Sequence, residues 1–305
     1  MVSNCAIPKS KCLAYFFLHA ITLLISAKSP AQKTEPNFQR RKQIVATGIG
    51  TTLVGSFVLL NELWYKNYAR TSFHFFNDND EWLQMDKVGH AFSTYTIGKH
   101  ACDVFLWSGY SENQSTWLGG SLGLAYLTGV ELLDAKSSAW GFSYGDMIAN
   151  ACGSILFISQ QKFWKEQRIT FKFSYFPSDF SAYNPEALGH NFQQRVFKDY
   201  NAHTYWSSIN VYSFLASDAA FPRWLNVAIG YGATEMTTAK NVVNDVNNFQ
   251  RKREFYFSFD ADLERVRWKK KWMKQMMKIL SFIKIPGPTL EIRSDGNVKM
   301  HSLFF

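Results

Sequence analysis

The sequence predicts an α+β protein in which a helical half is followed by an antiparallel β region. Long apolar stretches of helical length run from about residue 43 to residue 162, whereas aromatic and β-branched residues alternate with polar ones from about residue 168 onward. The polar segment KEQR at 165–168 separates the two patterns. Hydrophobic residues make up 47 % of the 305 residues and aromatic residues 17 %, which excludes an intrinsically disordered chain.

The N-terminal residues 1–31 are predicted to be a secretory signal peptide. Two lysines precede an apolar run from Leu13 to Ile25, and the small residues at 29–31 offer a cleavage site. The apolar run is shorter than the roughly 20 residues that a membrane span needs. We therefore expect an exported protein, located in the periplasm or at the outer membrane, whose mature chain begins near Gln32.

The first helix of the mature chain is predicted at 43–61, where 19 residues carry no charge. This length allows a membrane span, but glycine, serine and threonine make the segment only weakly apolar. Arg40, Arg41 and Lys42 precede it and would lie on the exported side, against the positive-inside preference. We expect this helix to pack in a bundle or against a membrane, and an inner-membrane span is the alternative.

Three more helices complete a predicted helical domain over residues 40–164. They are expected at about 84–107, 115–134 and 144–162. In the middle one, Gly119 and Gly123 form a pair of small residues that lets two helix backbones approach closely. Cys102 and Cys152 lie among apolar neighbours, so we expect two buried thiols, with a disulfide between them as the alternative.

The second half, residues 168–305, is predicted to be a β-rich domain. Its strand segments are ITFKFSYF, TYWSSINVYSF, WLNVAIGYG, EFYFSFDADL, TLEIR and VKMHSLFF. The tripeptide SDG at 294–296 predicts a hairpin turn between the last two of them.

A basic amphipathic helix is predicted at 265–284, which contains eight Lys or Arg and no Asp or Glu. On a helix, the tryptophans fall on an apolar face and the lysines on the opposite one, as in helices that lie on anionic membranes. The predicted membrane-surface residues are Trp268, Lys270, Lys271, Trp272, Lys274 and Lys278. The predicted partner is thus a membrane surface with anionic lipid, and packing on the strands is the alternative. Nucleic acid is not an expected partner of an exported chain.

Three polar runs interrupt the apolar helices, namely DKVGHAFSTY, GVELLDAKSSAWGFSYGD and GDMIANACG. Spacings of three or four residues place the polar side chains of each run on one helical face. Because burying several ionisable groups is costly unless they pair, we expect them to meet in one cluster. The expected members are Asp86, Lys87, His90, Glu131, Asp134, Asp146 and Asn150.

The order DKxxHxF, ELxD and GFSYGDxxAN, over about residues 84–160, resembles the YfiM-like family of predicted periplasmic lipoproteins of unknown function. It is more distantly similar to the VanZ-like membrane proteins. The resemblance implies an envelope location and a compact helical domain, and it implies no reaction. This chain departs from the family in two respects: no cysteine directly follows the apolar run, and a long aromatic β half is added.

The polar cluster admits three interpretations. The first is a structural network that fixes helix register and leaves the protein without a cofactor. The second is a divalent metal held by His90, Glu131, Asp134 and Asp146. The third is a general base formed by His90 with Asp86 or Asp146.

The structural network is the main expectation, because no established catalytic motif is found in the sequence. The predicted function is accordingly a non-enzymatic structural or docking role at a membrane or within an envelope protein complex. The alternative is a metal-assisted or acid–base hydrolase or transferase that acts on a lipid or a cell-wall precursor.

Overall fold

A computed structural model describes residues 37–66, 68–216, 218–240 and 249–305. Helices occupy the first half of the described chain and a six-stranded antiparallel sheet the second, so the predicted α+β class is confirmed. The predicted signal peptide and its cleavage site lie outside the described residues.

The helical half contains four long helices, close to the predicted boundaries. They are α1 (Phe38–Leu60), α2 (Met85–Trp107), α3 (Glu112–Asp134) and α4 (Tyr144–Trp164). Polar caps fix where α3 and α4 begin. The Ser111 hydroxyl accepts from the backbone of Gln114, and the Ser143 hydroxyl accepts from the backbone of Asp146.

Helices α2 and α3 pack closely along the predicted pair of small residues. A Cβ at Gly119 would lie 2.5 Å from the backbone oxygen of Gly98, and one at Gly123 would lie 2.5 Å from that of Thr94. Any side chain at these two positions would push the helices apart. The close approach buries the middle of α2, from Thr94 to Cys102.

Helix α1 packs against α3 through one of its sides. Phe57 contacts Tyr126, with ring centroids 5.4 Å apart. The opposite side is apolar and open, since Val54 is 66 % exposed. Among the described residues, α1 alone is long and apolar enough to cross a membrane, by length and composition, with a mean hydropathy of 1.7.

All six predicted strand segments form strands, and each pairs with the next one along the chain. The strands are β1 (Ile169–Tyr175), β2 (His203–Asn210), β3 (Leu225–Thr234), β4 (Lys252–Ala261), β5 (Gly287–Arg293) and β6 (Val298–Phe304). Two short helices, α5 (Pro185–Leu188) and α6 (Phe192–Lys198), lie between β1 and β2. The predicted hairpin turn joins β5 to β6, and Gly296 adopts a φ of +87° there.

The sheet turns its polar face inward and its apolar face outward. The inward face carries buried polar side chains, among them Ser208, Asn210, Asn226, Glu254, Ser258, Asp260, Thr289 and Glu291. The outward face of β3–β6, here called the apolar sheet face, consists of exposed Val227, Ile229, Phe255, Phe257, Phe259, Val298 and Met300.

Curling of the sheet shields the polar face. The rings of Trp206 on β2 and Phe304 on β6 lie 6.2 Å apart although three strands separate β2 from β6. Inside the curl, the Lys172 ammonium lies 2.6 Å from the Asp260 carboxylate. The Lys284 ammonium donates to the backbone oxygens of Phe259 and Ile285. Burial lowers the pKa of Lys284 to about 8.

The predicted helix at 265–284 is wrong in extent, because the structure has an α-helix only at α7 (Lys271–Ile279), followed by one 3₁₀ turn at Leu280–Phe282. The Asp262 carboxylate accepts from the backbone of Glu264, and the Trp268 indole donates to the Leu263 oxygen. These two bonds stabilise turns in place of the first helical turns.

Three of the four predicted surface lysines are exposed, and the fourth forms an ion pair. Lys270, Lys271 and Lys274 are exposed, as is Trp272 at 59 %. Lys278 instead lies 2.6 Å from the Asp103 carboxylate of α2, which attaches α7 to the helices.

Cys102 and Cys152, the two cysteines among the described residues, differ in exposure. Both thiols are free; Cys102 is buried as expected, and burial raises its pKa to about 12. The expectation of burial is wrong for Cys152, which is exposed. The buried positions of α4 include Asn150, Gly153 and Phe157, and these lie on the side opposite Cys152.

Candidate functional site

The polar cluster forms where the start of α2, the end of α3 and the start of α4 meet. The structure brings together six of the predicted residues, here called the polar cluster: Asp86, Lys87, His90, Glu131, Asp146 and Asn150. It leaves out Asp134, whose carboxylate accepts a hydrogen bond of 2.8 Å from the Tyr65 hydroxyl.

Lys87 is the cation on one side of the cluster. Its ammonium nitrogen lies 2.7 Å from Asp78, 2.9 Å from Asp146 and 3.4 Å from Asp86. Burial lowers the pKa of Lys87, but the charges of Asp86 and Asp146 and the hydrogen bonds to Asp78 and Asp146 outweigh burial and raise the pKa. Lys87 is therefore charged, and it holds three carboxylates around one ammonium group.

His90 is oriented by an amide. Its Nδ1 lies 3.1 Å from the Asn150 side-chain oxygen, which also accepts from the Thr94 hydroxyl. The orienting carboxylate that the general-base interpretation expects at Nδ1 is thus replaced by Asn150. With Nδ1–H donating to this oxygen, the lone pair of a neutral His90 is at Nε2.

The Nε2 atom of His90 faces three carboxylates. It lies 3.9 Å from an oxygen each of Asp86, Glu131 and Asp146. One ligand atom each of Asp86, His90 and Asp146 falls within 4.8 Å of the other two, so these residues can hold a metal ion. Asp86 and His90 reach this position because they are four residues apart on α2.

Burial and the excess of negative charge raise the pKa values of groups in the polar cluster. Burial raises the pKa of Glu131 to about 8, and burial together with the Asp86 charge raises that of Asp146 to about 7. Burial lowers the pKa of His90, but the carboxylates of Asp146, Asp86 and Glu131 outweigh it and raise the pKa. Protons are thus retained by this cluster at a pH where exposed carboxylates have lost theirs.

Residues that the sequence analysis missed, among them Asp78, Ser143 and Tyr200, connect the cluster to its surroundings. The Ser143 hydroxyl donates to Asp78, and its backbone N–H donates to Glu131 over 3.1 Å. A serine three residues before Asp146 is a helix-start signal that would have placed Ser143 here. Tyr200 donates to Asp86 over 2.8 Å from a distant part of the chain, and no local pattern indicates this contact.

Strand β4 sets the position at which α2 begins. Trp82, Leu83 and Gln84 have φ values of 48°, 50° and 64°, a left-handed conformation that is costly without glycine. The Arg253 guanidinium of β4 donates to the Leu83 oxygen over 3.0 Å and to the Gln84 side chain over 2.6 Å. The sheet thereby fixes the segment that leads directly into Asp86 and Lys87.

The comparisons with known proteins add a location but no reaction. Residues 74–159, a little over a quarter of the chain, match the model of a family described as predicted periplasmic lipoprotein (DUF2279). No curated protein and no solved structure matches the chain. The YfiM-like and VanZ-like resemblances stay predictions. The matched segment contains the whole polar cluster, and its family description supports an exported protein of the cell envelope.

Proposed function

We propose that this protein is a non-enzymatic, membrane-associated component of the bacterial cell envelope, which docks on lipid through the apolar sheet face. The observation that carries the proposal is the inverted polarity of the sheet. On β3–β6 a row of apolar and aromatic side chains points outward, while charged and amide side chains are buried within the curl beside the rings of Trp206 and Tyr256.

An apolar outer face is unfavourable in water and favourable in contact with lipid. Phe257, for example, pairs with Ile229 on one side and Leu290 on the other, and it is 45 % exposed. Sheets that face lipid alternate apolar residues outward with polar residues inward. Full transfer of a phenylalanine side chain out of water contributes about 1.5–3 kcal/mol, so each of these half-exposed side chains contributes roughly half as much, and several together make a strong contact.

Two further features support a membrane as the occupant of this face. Helix α1 leaves one whole apolar side open. Near the sheet, α7 and the residue before it present three exposed lysines, Lys270, Lys271 and Lys274. Each lysine close to an anionic surface contributes on the order of 1 kcal/mol.

Fractionation of envelope membranes tests the membrane association. The full-length protein should remain in the membrane pellet after a high-salt wash, because acyl contacts are not screened by salt. It should also resist an alkaline carbonate wash, which removes proteins held by charge alone. Release by salt would limit the contact to the basic residues, and recovery in the soluble periplasmic fraction would contradict the proposal.

The hydrolase or transferase acting on a lipid or cell-wall precursor is the second candidate function. It is favoured by the unpaired carboxylate oxygen of Glu131, which faces His90 inside the cluster. The solvent cleft of about 530 Å³ beside Asp80, Leu83 and Arg251 does not have His90 among its lining residues. The enzymatic candidate ranks below the docking function, because a substrate would need access to His90, whose side chain is only 15 % exposed.

A further inference from the structure

We infer that the space between His90 Nε2 and the carboxylates of Asp86, Glu131 and Asp146 is a binding site for a divalent transition metal, with Zn²⁺ as the fitting ion. The metal would join α2, α3 and α4 at the point where they converge. This inference goes beyond the proposed docking function and does not depend on it.

The geometry suits a four-ligand site. Three oxygens, one from each carboxylate, surround Nε2 at the same distance of 3.9 Å. Zinc bonds of about 2.0–2.1 Å in a tetrahedron separate the ligand atoms by roughly 3.4 Å. Nε2 and each of the three oxygens thus need to approach each other by about half an ångström. Asp86, His90 and Asp146 already offer ligand atoms within 4.8 Å of one another, and Glu131 adds the fourth ligand from α3. Imidazole and carboxylate are both zinc ligands.

A buried oxygen without a hydrogen-bond donor indicates where a cation would bind. Oε1 of Glu131 accepts no hydrogen bond, and this side chain is only 1 % exposed. Its other oxygen is already used, because it accepts from the Ser143 backbone over 3.1 Å. A buried carboxylate oxygen with no donor costs free energy, and a bound cation removes that cost.

A hydrogen bond on the other side of the His90 ring leaves Nε2 free to bind a metal. The Asn150 oxygen accepts from Nδ1–H, which fixes the tautomer whose lone pair faces the three carboxylates. The charge count agrees with a cation at this point. The single ammonium group of Lys87 faces three carboxylates, those of Asp78, Asp86 and Asp146, and Glu131 adds a fourth carboxylate beside His90.

Zinc binding by the untagged full-length chain tests the inference. The protein is purified in detergent with EDTA, dialysed, and incubated with Zn²⁺; bound zinc is then measured by elemental analysis and the Tm by circular dichroism. We expect about one zinc per chain and a rise in Tm of about 5 °C at saturation. His90→Gln and Glu131→Gln should each weaken zinc binding at least 10-fold.

The chain offers a matched control. His190 and Glu186 also stand four residues apart, with 3.3 Å between imidazole and carboxylate, but they are exposed. His190→Gln should leave the zinc content and the rise in Tm unchanged. This control separates the buried site from incidental binding of zinc by a histidine–carboxylate pair.

Two results would overturn the inference: a wild-type chain that retains no zinc after dialysis, or variants that retain as much as wild type. Should His90→Gln fail to fold, Glu131→Gln decides, because glutamine still accepts the hydrogen bond from Ser143. If the cluster instead holds only protons and no metal, Glu131→Gln should melt in EDTA at or above the wild-type Tm. Zn²⁺ should then change the Tm of neither protein.

Discussion

Replacement of Lys87 by methionine is expected to lower the free energy of unfolding by about 3–5 kcal/mol. The substitution keeps the length of the side chain but removes the ammonium group that lies within 3.4 Å of Asp78, Asp86 and Asp146. The three carboxylates would then face one another without a counter-ion. Truncation of one partner in a buried ionic network leaves the rest uncompensated, and this is the physical origin of the large cost.

Thermal unfolding followed by circular dichroism measures the effect of Lys87→Met. Lys66→Met is the matched control, because Lys66 also pairs with a carboxylate, that of Glu62 at 3.0 Å, but both side chains are about half exposed. An exposed pair contributes at most about 1 kcal/mol, so the control should melt close to wild type. Equal melting temperatures for the two variants would show that the polar cluster does not stabilise the helices.

Replacement of Gly153 by leucine should cost about 3 kcal/mol, since it forces α2 and α4 apart. A Cβ at Gly153 would lie 2.2 Å from the backbone oxygen of Ala91, the residue after His90. A backbone atom cannot move aside as the end of a side chain can. Because Asn150 lies one turn before Gly153, the same close approach brings the Asn150 amide to His90.

Gly55→Leu in α1 provides the comparison for Gly153→Leu. A Cβ at Gly55 meets no atom within 4 Å, so leucine should there be tolerated or stabilising, since it is the better helix former. Melting temperatures of both variants would be compared with wild type. A Gly153→Leu protein as stable as Gly55→Leu would contradict the close helix contact on which the polar cluster depends.

The sequence predicts the elements well because their signals are local. An uncharged stretch of 19 residues indicates α1, and period-two alternation indicates all six strands. The helix predicted at 265–284 is too long, because the pattern of basic residues begins before the observed helix does. The Asp262 side chain stabilises a turn in that preceding segment. A side-chain bond of this kind competes with the helix and leaves no trace in the hydrophobic pattern.

The candidate site is predictable to the extent that it follows helix periodicity. Asp86 and His90 are co-facial by spacing, and the structure places them together. Asp134 is co-facial with Glu131 in the same way, yet it binds Tyr65, since spacing does not reveal which neighbour a helical face meets. Tyr200 is more than one hundred residues from Asp86 and reaches it only through the tertiary fold.

Contact between the apolar sheet face and lipid is what the proposed docking function requires. Side chains along a strand alternate between the two faces of the sheet. This alternation places the ion pair of Lys172 with Asp260 on the inward face and aromatic side chains of β4 on the outward face. A membrane supplies the apolar surroundings that this alternation requires. A second copy of the chain on the same face would also cover it, and the measurement must separate the two.

Photolabelling from within the bilayer tests this claim most directly. The full-length protein is reconstituted into vesicles whose lipids carry a photoreactive acyl chain, and the labelled peptides are mapped by mass spectrometry. We expect label at Phe257 and Phe259 on the apolar sheet face, and none at Phe176, which is more exposed but lies outside that face. Label confined to α1, or a sheet face that crosslinks to a second copy and takes up no lipid, would contradict it.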